Sequence, residues 1–183
     1  MEFFDILDID GTITGKASRP ECHNGSHMLH GVVHVLVFTS RGGIILQKRS
    51  MNKEIEPGKW DTSVGGHIES GETVEDALVR EAREELGING IEFERLYSYI
   101  MTTDIEREYV TTFRCIWDCP VVFPEDEISD IRVFTAEEIA SNIDTGIFTP
   151  NFVDEWHHYQ CWLSDEAIPN NHEAHISQRK KDV

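Results

Sequence analysis

The chain has 183 residues, a formal net charge of −18, 39% hydrophobic residues and 27% charged ones. That length supports one domain with a substantial core, and the acid excess argues against nucleic acid or an anionic membrane surface as a bulk partner. Cys22, Cys115, Cys119 and Cys161 lack disulfide-framework spacing, and Met1 to Asp10 lacks a basic n-region or an apolar core, so free thiols in a reducing cytoplasm and no signal peptide are the expectations.

Phe3 to Ile9 reads as a first strand, closed by the Asp10-Gly11 turn, and residues 15–28 are polar and loop-like. Val32 to Phe38 is an apolar, β-branched strand; Arg41-Gly42-Gly43 turns the chain, and Ile44 to Lys48 returns it. Asn52 to Trp60 is a loop carrying Pro57-Gly58, and Thr62 to Val64 is a short strand. Thr73 caps a helix through Leu86, with Asp76 three residues on and Gly87 at its end. Ile91 to Met101 and Tyr109 to Trp117 alternate as strands around the acidic loop Thr103 to Glu108. An acidic connection, Pro120 to Ser129, leads to a strand at Ile131 to Phe134. Thr135 caps a helix from Ala136 to Asn142, and Pro150 opens a last helix through about Trp162. The expectation is a single domain over 1–168 and a polar, frayed tail over 169–183. No apolar run reaches membrane-spanning length.

Gly66 to Ile88 concentrates the chemistry. Glu69, Glu72, Glu81, Glu84 and Glu85 fall in this one stretch. A helix turns about 100° per residue, so Glu81, Glu84 and Glu85 share one side, at the edge of the face marked inward by Val74, Ala77 and Leu78. Crowded like charges cost stability unless a cation neutralises them, and hard oxygens suit Mg²⁺ or Mn²⁺. Arg80 stands beside the cluster to orient a carboxylate, and Gly65 and Gly66 leave backbone free to approach a ligand or metal. An ordinary solvated acidic face would need neither feature.

The pattern G-x5-E-x7-R-E-u-x-E-E-x-G-u (u a bulky apolar residue) is met by Gly66, Glu72, Arg80, Glu81, Glu84, Glu85, Gly87 and Ile88, with the small Ala82 as its one departure. It resembles the signature of Nudix hydrolases. The resemblance implies an α/β/α sandwich around a mixed β-sheet. It further implies one to three Mg²⁺ or Mn²⁺ ions held by Glu81, Glu84, Glu85 and the Gly66 carbonyl, and a small-molecule diphosphate as substrate. Glu84, Glu85, Glu125 or Glu127 is then the general base, Arg80 orients the box and Glu72 stays outside the inner ligands. Dimers are frequent in the family, which leaves a homodimer open.

A second set of residues is similar to the branch containing type I isopentenyl-diphosphate isomerases, over residues 3 to about 162. His23, His30 and His67, with Glu106 and Glu108, match the metal ligands of those enzymes, and imidazole with carboxylate suits Zn²⁺, Mn²⁺ or Fe²⁺ better than Mg²⁺. Arg49 and Lys53 match diphosphate-binding positions; a solvated hairpin edge is the plain alternative. Trp60 and Trp156 are read as core before pocket. The isomerases place a catalytic Cys where this chain has Gly65, and a Trp after Ser-Pro where it has Asn151 after Thr149-Pro150. With an intact box, these departures point to hydrolysis. Isopentenyl-diphosphate isomerisation and non-catalytic diphosphate binding are the alternatives.

Overall fold

The computed structural model describes residues 1–166. In chain order the elements are β1 (Phe3–Leu7), β2 (Ile13–Ser18), α1 (Arg19–Cys22), β3 (Leu29–Phe38), β4 (Ile44–Arg49), β5 (Trp60–Asp61), β6 (Val64–His67), α2 (Val74–Leu86), β7 (Glu94–Thr102), β8 (Arg107–Ile116), β9 (Ile128–Phe134), α3 (Ala136–Asn142) and α4 (Pro150–Glu166). The domain limit expected at 168 and the tail 169–183 lie outside the described residues.

β3 is the hub. It runs parallel to β8 from Leu29↔Arg107 to Phe38↔Ile116. Its other edge is shared by antiparallel partners: β1 at His30, β6 from Val32 to Val35, and β4 at Val37 and Phe38. β7 extends the sheet beyond β8, while β5 and β9 flank β4. The sheet is therefore mixed, and sharing one edge among three strands opens room beside β6 for a site.

The period-2 alternation of β3 divides the core. Val33, Val35 and Val37 pack with Ala77, Leu78, Ala82 and Leu86 of α2. Leu36, on the other face, packs with Ile139 of α3 and Phe152, Trp156 and Tyr159 of α4. This is the expected α/β/α sandwich. Trp60 and Trp156 both join the second of these cores.

Of the stretch 15–28, expected to be loop, residues 15–22 lie in β2 and α1, and 23–28 are loop. β2 pairs antiparallel with β1 from Phe3↔Ser18 to Leu7↔Ile13. Most of β2 is exposed, so its order comes from this ladder rather than from an apolar face. Glu21 accepts from the Ser18 backbone N–H (2.8 Å) and hydroxyl (2.6 Å), which fixes the turn into α1. The other boundaries shift by a few residues: β7 begins at Glu94 and β9 at Ile128.

Candidate active site

The acidic box is a strand–loop–helix unit. β6 ends at His67, and α2 starts behind Thr73, whose hydroxyl accepts from the Asp76 N–H (3.1 Å). Gly87 closes the helix in the left-handed region, φ +68, where glycine carries no steric cost. Arg80 is the hinge of the site. It grips Glu72 with two bonds (Nε 2.9 Å, Nη2 2.8 Å), donates to Glu81 Oε1 (2.6 Å) and to the His67 carbonyl (3.0 Å), and stands 3.6 Å from Glu84. Such charge-assisted forks fix geometry as well as charge. Glu72 is thus tied up by Arg80, and its pKa is held below the ordinary range by that bond.

Gly66 lies against Glu81. A Cβ there would overlap the Glu81 carboxylate, well inside the 3.0 Å that real Cβ atoms keep. Glu85 points back to β6 and accepts from the Gly65 N–H (3.1 Å) and from Gln47 (3.0 Å). Removal from water and the nearby Glu81 charge push the Glu85 carboxyl up to about 8. Burial likewise raises Glu81, against the pull of Arg80. Glu84 is half exposed at the rim. The arrangement is a set of hard oxygens short of positive charge around a glycine cradle, and it fits Mg²⁺ or Mn²⁺.

The five residues of the second set also meet. His23, His30, His67 and Glu106 place ligand-competent atoms within 4.8 Å of one another. His23 Nε2 is 3.2 Å from His67 Nε2 and 3.2 Å from Glu106 Oε2; Glu108 Oε1 is 3.4 Å from His67 Nε2. His30 Nδ1 hydrogen-bonds the Met28 carbonyl (2.8 Å), which leaves the Nε2 lone pair for a ligand. That His30 Nε2 and Glu106 Oε2 are buried without a hydrogen-bond partner among the described residues. Buried polar atoms are rarely left so. Burial lowers the pKa of His30 and takes His23 down to about 4, so both rings are neutral at neutral pH. Burial opposes the charge of Glu108, but the bond and charge of His67 prevail and hold its pKa low. The donor set fits Mn²⁺ or Zn²⁺.

The expected strand β1 and the two missed elements, β2 and α1, together build this second centre. The β1–β2 hairpin feeds α1, which delivers His23. Phe4 stacks on His30 and His67, with ring centroids 5.2 Å and 4.6 Å away. Asp5 pins the loop before α2 by accepting from Ser70 Oγ (2.6 Å) and the Gly71 N–H (3.0 Å). The loop after α1 is tied to the Glu106 loop through Gly25 N–H to the Ile105 carbonyl, 2.9 Å.

Glu81, Glu84 and Glu85 line one cleft of about 630 Å³ together with His23, His67, Glu106 and Glu108, while His30 is buried beneath them. A strand–loop–helix of this form in this sandwich is matched by known proteins. Residues 28–156 fit the NUDIX domain model. The uncharacterized Nudix hydrolase YfcD of Escherichia coli strain K12 is 30% identical over 82% of this chain and 82% of its own. Its Salmonella typhi namesake is 28% identical over 100% and 94%. The crystal structure of DR0079 from Deinococcus radiodurans superposes with a TM-score of 0.76 at 25% identity, covering 86% of this chain and 98% of that one. The chain belongs to the Nudix hydrolase family.

Other predicted residues of this Nudix cleft are present but engaged. Arg49 lines it and donates to Asp61 Oδ2 (3.1 Å) and to the Ile55 carbonyl (2.9 Å). Lys53 lines it and is paired with Glu127 at 2.9 Å. Of the two carboxylates proposed outside the Nudix box, Glu127 borders the cleft, whereas Glu125 is exposed and does not. Asn151 borders it as well. Sequence reasoning missed Gln47, Asp61 and His34, which also line the cleft. The only sequence signal for His34 is a lone imidazole inside the apolar run Val32 to Phe38. All four cysteines are free, and no helix among the described residues is long and apolar enough to cross a membrane.

Proposed function

We propose that this Nudix protein is a metal-dependent pyrophosphohydrolase that cleaves the diphosphate bond of an organic diphosphate, such as a nucleoside diphosphate linked to a second group. The observation that carries the reading is the Gly66–Glu81–Glu85 cradle, whose carboxylates are crowded, poorly hydrated and short of positive charge. Mg²⁺ or Mn²⁺ bound there supplies charge for phosphate oxygens and makes a water easier to deprotonate. Glu81, Glu85, Glu84 and the Gly66 carbonyl would hold it. Arg80 keeps Glu81 in register. Glu84, half exposed at the rim, and Glu127, paired with Lys53, are the candidates to take a proton from the attacking water, Glu84 doing so only where it does not ligate the metal. Arg49 and Lys53 are placed to meet the diphosphate on exchanging Asp61 and Glu127 for it.

Two observations weigh against the other readings. Gly65 presents no thiol or other proton carrier for isomerisation. A binding module without turnover need not keep a costly cluster of like charges, and here the cluster is intact. The second centre, His23, His30, His67, Glu106 and Glu108, is proposed to hold Mn²⁺ or Zn²⁺ beside the Gly65-Gly66 loop.

The hydrolase reading is tested by assaying a panel of diphosphates, from nucleotide sugars and dinucleotides to prenyl diphosphates, with Mg²⁺ or Mn²⁺. Release of two phosphorylated fragments supports it; double-bond migration points to the isomerase instead. For the second centre, metal content after purification without chelator is compared with a His23→Ala, His30→Ala double variant. Equal content in the two proteins would sink it.

A further inference from the structure

β3 carries two histidines on one face, and only His30 belongs to the imidazole cluster. His34 is also buried, at 6% exposure, and its ring is held at one end. Nδ1 lies 2.7 Å from Glu155 Oε2. Glu155 comes from α4, is fully buried, and also accepts from Tyr97 Oη (2.6 Å), Tyr99 Oη (2.9 Å) and Thr112 Oγ1 (3.1 Å). Burial opposes its charge, but these donors keep its pKa below the ordinary range. Burial also opposes a charge on His34, and Glu155 overrides it, raising the imidazole pKa. A buried ion pair of this kind contributes little that apolar packing would not supply, so its presence asks for another explanation.

The free end of the ring supplies one. His34 lines the cleft, and its cross-strand neighbour is Gly65. A Cβ at Gly65 would stand 3.3 Å from His34 Cδ2 and 3.6 Å from Nε2, so the glycine leaves that edge of the ring uncovered. The other cationic side chains that line the cleft, Arg19, Arg49, Lys53 and Arg80, are each paired with a carboxylate beside them: Glu2, Asp61, Glu127, and Glu72 with Glu81. His34 differs, because its counter-ion sits behind it, on α4. We propose that His34 is a phosphate-binding residue of this cleft, its Nε2–H donating to an oxygen of the bound diphosphate while Glu155 fixes the ring. The nature of the ligand rests on the hydrolase reading; the role of His34 does not follow from it.

The probe is inorganic pyrophosphate with Mg²⁺, titrated calorimetrically into wild type and His34→Gln. Glutamine keeps a donor for Glu155 and removes the N–H facing the cleft. Its affinity for pyrophosphate should fall by about tenfold or more, the scale of one charged hydrogen bond. In the wild type the His34 Nε2 ¹⁵N resonance should shift on adding pyrophosphate, which a packing role would not produce and which needs no variant to fold. Equal affinities, or a resonance indifferent to pyrophosphate, would overturn the inference. Turnover of organic diphosphates with equal pyrophosphate affinities would overturn it alone. His34-dependent binding without turnover of any diphosphate would support it and overturn only the hydrolase reading.

Discussion

Adding one methyl group at Gly66 separates the metal cradle from the fold. Gly66 is buried and sits on β6 opposite Val33. In Gly66→Ala the new Cβ would overlap the Glu81 carboxylate, which is the far end of a flexible side chain rather than backbone. The cheap response is for that carboxylate to withdraw by about 1 Å or more, a displacement that costs about 100-fold in rate when it misplaces a catalytic group. That is about 2.7 kcal/mol of transition-state stabilisation. The fold should suffer less than the activity, because overpacking that a flexible chain relieves falls at the low end of about 1–3 kcal/mol. The withdrawal also strains the 2.6 Å bond from Arg80 to Glu81. Steady-state turnover at saturating Mg²⁺ and melting curves with and without Mg²⁺ check this. We expect turnover down by about 100-fold and a smaller Mg²⁺-induced rise in melting temperature. Wild-type turnover in Gly66→Ala would refute the reasoning, because Glu81 would then not need its present position.

Glu85 gives a pH signature. Its folded carboxyl is raised from 4.5 to about 8, so the stability it contributes is fully present below about 4.5 and is lost as pH rises through about 8. Without divalent metal, Glu85→Gln should flatten that decline in melting temperature, and at saturating Mg²⁺ it should lower turnover by orders of magnitude; an unaltered pH slope would contradict the assignment. Asp5→Ala removes the two bonds that hold Ser70 and Gly71. It should cost about 1–3 kcal/mol in a denaturant titration and reduce bound transition metal, and an unchanged metal content would detach the N-terminal hairpin from the second centre.

The parts of the site legible in the sequence are those whose spacing is local. Glu81, Glu84 and Glu85 lie on one helix and could be grouped from helical geometry, whereas the meeting of Gly66 with Glu81 came only from the family resemblance, because Gly66 lies on β6. β3 and α2 were legible from the residues, β3 by its apolar β-branched run and α2 by the Thr73 and Gly87 caps, while the sandwich that joins them came from the family resemblance. The β1–β2 hairpin was half invisible. β2 is a polar strand with an exposed face, ordered by its partner's backbone, and composition carries no sign of that. α1 is four residues long, too short for any apolar period. The His34–Glu155 pair joins residues 121 apart in sequence, and each sits inside a pattern that reads as ordinary core. Only the register of β3 against β6, and α4 crossing behind it, turns those two residues into a feature of the cleft. Pairing of Arg49 with Asp61 and of Lys53 with Glu127 is also a product of the tertiary fold, which motif matching does not see.

The most direct measurement is hydrolysis of organic diphosphates by the wild type and by Glu84→Gln, with and without Mg²⁺ or Mn²⁺, with products identified by phosphorus NMR. Metal-dependent cleavage of the diphosphate bond into two phosphorylated fragments, lost on chelation and reduced by orders of magnitude in the variant, is the expected result. Cleavage that persists in full without divalent metal, or in the variant at saturating Mg²⁺, would contradict it.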